Sequence, residues 1–78
     1  MKTTRELIAD ELRGIRAKQD LSIEIVAEKS KVNKDTISRY ENNSVSMNID
    51  IIEKLLKTYN VGFDIFFTNI YANKHNNE

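Results

Sequence analysis

The stretch Leu21–Asn43, LSIEIVAEKSKVNKDTISRYENN, decides how the rest of the 78-residue chain is read. It divides into two short helical segments joined by a tight turn. Ser22 is a good N-cap, and Glu24 in the next turn complements the positive end of the helix dipole. Val26, Ala27 and Ser30 share the inner face, with Ala27 small where a second helix would cross closely. The turn is Ser30-Lys31-Val32-Asn33; Val32 is its single apolar residue and is expected to plug the core. Asn33 caps the second segment, with Asp35 in its first turn. Ile37 and Tyr40, three apart, point inward. Lys34, Asp35, Thr36, Ser38 and Arg39 are left to face out.

Working outward, the preceding segment predicts a helix from Thr4 to about Gln19, capped by Thr4. Ile8, Leu12 and Ile15 form its apolar stripe. Gly14 inside it costs roughly 1 kcal/mol relative to alanine and is expected to mark close approach of another helix. Asp20 ends this helix and Leu21 tucks inward. Beyond the central stretch, Asn42–Asn48 (NNSVSMN) is a polar loop. Asn48 caps a fourth helix over Ile49–Tyr59, with Ile49, Ile52, Leu55, Leu56 and Tyr59 as its buried face. Asn60 suits a left-handed C-terminal position, and Val61-Gly62 links to the last helix. That helix carries Phe63, Phe66, Phe67, Ile70 and Tyr71, more large apolar side chains than the end of a small core takes. Some must close the core, and the remainder of these five candidates is expected to form a dimer interface. The expectation is an all-α, compact five-helix domain over residues 1–71, with a frayed polar tail over 72–78.

Composition narrows the classes. There is no cysteine, so neither a disulfide nor a thiolate metal site is available, and the one histidine, His75, stands in the polar tail. With no proline and two glycines, a strand-and-turn architecture is improbable. No apolar run approaches the roughly 20 residues that cross a bilayer, and the charged first residues are unlike a secretory leader. A cytoplasmic protein, with no membrane partner, is expected. Twelve basic residues balance twelve acidic ones. That argues against a sequence-blind polyanion binder, though not against a specific one whose charges are segregated. Such a binder should gather Arg5, Arg13, Lys34 and Arg39 on the side of the third helix. Nothing in the chain suggests an enzyme. It has no glycine-rich phosphate loop, no cysteine nucleophile and no histidine–carboxylate cluster, and no cofactor or metal is expected.

Two short helices across a tight turn are the layout of a helix-turn-helix, in which one helix holds the other against DNA. The outward residues of the second helix suit that task. Lysine and arginine donate to guanine, aspartate accepts from cytosine N4, and serine or threonine serves either way. A plain solvated helix face has the same residue types, and both readings stand at this point.

The ordered set Ile15-Arg16, Leu21-Ser22, Val26-Ala27-Glu28-Lys29-Ser30, Val32, Thr36-Ile37-Ser38-Arg39 and Glu41-Asn42, followed by Leu55, Val61, Asp64 and Phe67, resembles the lambda-repressor-like helix-turn-helix family. These are the Cro and repressor type regulators, also called the Xre type. The resemblance covers about Ile8 to Phe67. It implies that helix 3 enters the major groove with Lys34, Asp35, Ser38 and Arg39 as base readers. Asn43, Ser44 and Ser46 match a loop that contacts phosphate, through side chains and backbone N–H groups. Ser22, Asn33 and Thr36 complete the expected backbone contacts. Arg16 and Glu41 match a partly buried ion pair tying helix 1 to the end of helix 3. The chain departs from the family where Ile23 replaces a frequent glutamine and Lys31 a usual glycine. A lysine at positive φ is strained. With Ile23 and Ile25, helix 2 is unusually apolar, and one of the two is expected to face a protein partner.

The function so implied is a sequence-specific transcriptional regulator, a repressor, binding a near-palindromic double-stranded operator as a homodimer. One alternative is a controller of a restriction–modification operon, or an antitoxin. Another, of a different class, is a protein-interaction module of the same fold without DNA binding.

Overall fold

The computed structural model describes residues 2–76 and contains five helices among them: α1 (Thr4–Lys18), α2 (Ile23–Ser30), α3 (Lys34–Glu41), α4 (Ile49–Tyr59) and α5 (Phe63–Asn76). α1 packs against α3 and α5, while α2 packs against α3 and α4. The core they enclose is built on Leu12, Val26, Ile37, Leu55, Leu56 and Phe66, all essentially inaccessible to solvent.

Helix starts follow local chemistry. α1 is capped by Thr3, not Thr4. The Thr3 hydroxyl accepts from the Glu6 N–H and the Glu6 carboxylate accepts from the Thr3 N–H, a reciprocal capping box. Those bonds hold the Glu6 carboxyl below its usual range. With Thr3 as the N-cap, Glu6 falls at the third helical position, where a cap at Thr4 would put Leu7. Ser22, Asn33 and Asn48 cap α2, α3 and α4, each accepting from a first-turn N–H.

Helix ends rely on left-handed residues, none of them glycine: Asp20 (φ 58°), Lys31 (φ 64°), Asn43 (φ 55°) and Asn60 (φ 59°). At Asp20, Asn43 and Asn60 the next residue's N–H reaches five residues back, from Leu21 to Arg16, Ser44 to Arg39 and Val61 to Leu56. This pattern satisfies the last carbonyls of a helix. It also turns the chain sharply, which keeps the helices short and the connections tight.

The structure corrects several expected positions. Leu7, Ala9 and Leu12 are the buried residues of α1, while Ile8 and Ile15 are only partly covered. The reason is that α1 lies between α3 and α5, so its buried arc is wider than one stripe. Gly14 is exposed, and a Cβ there would meet nothing within 4 Å. No helix crosses closely at that point. Ile49 is 56% exposed, because the first residue of α4 projects past the core. Phe66 and Ile70 are buried within the protomer, at 0% and 4% exposure, which takes them out of the expected dimer surface. Phe67 and Tyr71 remain exposed and Phe63 half-buried. α5 continues to Asn76, so helical backbone extends through most of the expected tail, whose last two positions, 77–78, lie outside the described residues.

Candidate nucleic-acid interface

The unit made by α2 and α3 is fixed from beneath. Val26 and Ile37 are fully buried, and Val32 fills the turn at 4% exposure. The nearly buried Ser30 hydroxyl accepts from the Val32 N–H at 3.2 Å, which satisfies the turn's backbone. Lys31 adopts φ 64°, and its N–H donates to the Ala27 carbonyl. The glycine-like conformation expected of this turn is therefore kept by a lysine.

Arg16 ties this unit to α1. Its Nε donates to Glu41 Oε2 at 2.7 Å and its Nη2 to Glu41 Oε1 at 2.9 Å. Its Nη1 donates to the Leu21 carbonyl at 2.9 Å. One guanidinium thus joins α1, the turn before α2 and the last residue of α3. The bond to Glu41 raises the pKa of Arg16 further, so it stays charged. The hydroxyl of Tyr59 is buried without a hydrogen-bond partner. Burial, and the negative charge of Glu41, push that phenol from 10.0 up to about 12.

With its inward residues so held, α3 presents Lys34, Asp35 and Arg39 exposed and Thr36 and Ser38 half-exposed. Lys34 Nζ lies 4.0 Å from Glu24 Oε2 on α2, and Arg39 Nη2 lies 3.0 Å from Asp35 Oδ2 one turn earlier on α3. A shallow groove of ≈ 520 Å³ runs between the start of α2 and α3, lined by Arg16, Ser22, Ile23, Glu24, Lys34, Asp35 and Ser38. At the other end of α3, Arg13 Nη1 reaches the Glu41 carbonyl at 3.5 Å, while its Nη2 donates to Asp10 Oδ1 at 2.9 Å on its own helix. Arg5 stands exposed on α1.

The loop after α3 departs from the expected phosphate site in one respect. The backbone N–H groups of Asn43, Ser44 and Asn48 donate internally, to Tyr40 O, Arg39 O and Tyr40 Oη. The Asn43 Oδ1 atom is buried. The Ser44 and Ser46 side chains are exposed and open to a ligand. Asn33 and Ser22 are exposed, but their side-chain oxygens already accept from helix N–H groups. Of the two isoleucines of α2, Ile25 is the exposed one and Ile23 is half-buried. Sequence reasoning missed the Lys34–Glu24 proximity, which joins residues on different helices. The Asp35–Arg39 spacing of four was visible in the sequence. Among the described residues, no group of three or more His, Cys, Asp or Glu side chains is placed to hold a metal ion. No helix among them is long and apolar enough to cross a membrane.

Comparison with known proteins agrees with this geometry. The Cro/C1-type helix-turn-helix family model matches residues 12–66. No curated protein sequence matches the chain. Among solved structures, a point mutant of the restriction–modification controller protein C.Esp1396I is similar over 100% of both chains, at 23% identity and a TM-score of 0.89. The tetramer of that controller in complex with its natural 35 base-pair operator is similar over 92% of this chain and 95% of the other, at 24% identity and a TM-score of 0.84. At these identities the structural likeness establishes the five-helix fold. The family match spans most of the chain and includes α2, the turn and α3. The chain belongs to the Cro/C1-type helix-turn-helix family.

Proposed function

We propose that this chain is a sequence-specific DNA-binding transcriptional regulator, acting as a homodimer with α3 in the major groove of each half of a near-palindromic operator. Where the operator overlaps a promoter it acts as a repressor. One observation carries this reading. Lys34, Ser38 and Arg39 project from a helix whose inner face is fully anchored, with Ser22 on one side and the exposed Ser44 and Ser46 on the other. Groups suited to base edges are thus flanked by groups suited to phosphate. A twofold dimer would present its two α3 helices roughly 34–36 Å apart. Phe67 and Tyr71 on α5, with the half-buried Phe63, supply the apolar surface for pairing, and Phe63 and Phe67 already stack at 5.9 Å. On this reading the protein works in the cytoplasm and no residue has a catalytic role.

A second reading, control of a restriction–modification operon, is favoured by the full-length likeness to a controller protein seen on its own operator. It shares the same chemistry and differs only in the genes regulated. The test is selection from randomised duplex DNA by the purified protein at near-physiological salt. Enrichment of an inverted repeat is the expected result. A folded protein that enriches nothing refutes DNA reading and leaves the fold as a protein-interaction module.

A further inference from the structure

Both cations of the α3 reading face have a carboxylate at hand, Glu24 for Lys34 and Asp35 for Arg39. Both pairs are well exposed, with side-chain accessibilities between 58% and 71%, so they contribute little to folding. Their effect must be sought in what the face binds. The Asp35 carboxylate is repelled by every phosphate it approaches, and its Oδ2 already lies 3.0 Å from Arg39 Nη2. It is well placed to orient Arg39. A long side chain gives up conformational freedom when it is fixed at an interface, and a partner one turn away restricts it beforehand. The ion pair is made through Nη2 of Arg39, and a guanidinium carries five N–H donors, so a two-point contact with guanine remains open to it.

Resting on the DNA-reading role above, we propose that Asp35 is a positioning residue that determines specificity. It holds the Arg39 guanidinium for a guanine contact and, together with Glu24 beside Lys34, weakens the attraction of this face for phosphate of any sequence. Sequence-independent binding comes almost entirely from phosphate neutralisation. A carboxylate next to each cation therefore lowers the background more than it lowers a site where Arg39 meets its base. The balanced charge of the chain, 12 against 12, is in this view part of its discrimination.

The test compares the intact protein with Asp35→Ala, Asp35→Glu and Arg39→Ala. Each variant is first shown to be folded by circular dichroism, then put through duplex selection and salt-dependent titration with the selected operator and a random duplex. Asp35→Ala is expected to relax preference at the same base pair as Arg39→Ala, by about tenfold, which lies within the range for one bidentate contact. It should also bind the random duplex several-fold more tightly, with a steeper salt dependence. Asp35→Glu, which keeps a carboxylate one turn from Arg39, should restore the preference. Relaxation at a different base pair would make Asp35 a reader of its own base and overturn the proposal. A uniform change on all sequences, or no change, would also overturn it. If the unaltered protein enriches no sequence, the DNA-reading role fails and this inference with it; enrichment with an unchanged Asp35→Ala spectrum refutes this inference alone.

Discussion

Arg16→Ala is expected to be the most destabilising single truncation on the side of the fold that carries α3. The side chains of Arg16 and Glu41 are 20% and 6% exposed. Removing the arginine leaves the Glu41 carboxylate buried without its two N–H donors and strips the Leu21 carbonyl of a third. Breaking one partner of a buried pair costs about 3–5 kcal/mol. The whole stability of a small domain is only about 5–15 kcal/mol. At about 4–8 °C per kcal/mol, Tm should fall by at least ~12 °C. Glu41→Ala should cost less, because the more exposed guanidinium it leaves behind can draw in water and keeps its bond to Leu21. The order Arg16→Ala, then Glu41→Ala, in decreasing cost is thus fixed by the two exposures. In the double variant the costs should fall well short of additive, since the second truncation removes the group the first one stranded. Replacing both by apolar residues, Arg16→Met with Glu41→Leu, should recover much of the loss. Thermal and urea unfolding followed by far-UV circular dichroism measure all of these. A single-variant loss under ~1 kcal/mol, the reverse order, or strict additivity would refute the view that this pair locks α3 to α1.

Lys31→Gly should raise stability by roughly 1 kcal/mol, because Lys31 holds φ 64° with an exposed side chain and glycine reaches that conformation without a Cβ penalty; an unchanged or lower Tm would contradict this. Tyr59→Phe should be at least as stable as the parent at neutral pH, since it removes a buried hydroxyl that has no partner. The phenol pKa is raised from 10.0 to about 12, so the unfolded state loses its proton first and stability falls as pH rises between those values. The parent-minus-variant difference in unfolding free energy should therefore change across pH 10–12 and be flat below it; a flat difference throughout would show that the hydroxyl is not desolvated. Phe67→Glu should yield a folded monomer by light scattering, and a folded dimer would remove Phe67 from the pairing surface. Arg39→Ala should weaken operator binding by about 1–3 kcal/mol and relax one position per half-site, whereas unchanged affinity in a mobility-shift titration would strike it from the readers.

Much of the fold was legible because local chemistry and burial agree in this chain. Ser22, Asn33 and Asn48 are caps by residue type and are caps in the structure, and Ile37, Tyr40, Leu55 and Leu56 lie inward at helical spacing. The errors arose where a neighbouring element decides. Gly14 reads as a packing glycine, yet the side of α1 that carries it opens on a groove shared with Val61, Ile65 and Asn69. Ile49 continues the apolar stripe of α4 but stands beyond the end of what α4 packs against. Phe66 and Phe67 cannot be told apart by composition. Packing of α5 onto the shared core buries the first, at 0% exposure, and leaves the second at 37%.

The candidate site was legible in a different way. Once Ile37 and Tyr40 are assigned inward, Lys34, Asp35, Thr36, Ser38 and Arg39 remain on the outer side of α3, and the four base readers among them are what the family resemblance implies. That elimination locates a face but assigns no roles on it. Roles depend on contacts between residues far apart in sequence, such as Arg16 with Glu41 and Glu24 with Lys34, and on which backbone donors are already used. The loop after α3 shows the consequence. Its asparagines and serines suggest a phosphate cradle of N–H groups, but three of those groups close the end of α3 and the start of α4 instead. The exposed hydroxyls of Ser44 and Ser46 remain open to a ligand there. They are uncharged, so the positive potential for DNA depends on cations such as Lys34 and Arg39, the same two that have carboxylate partners beside them.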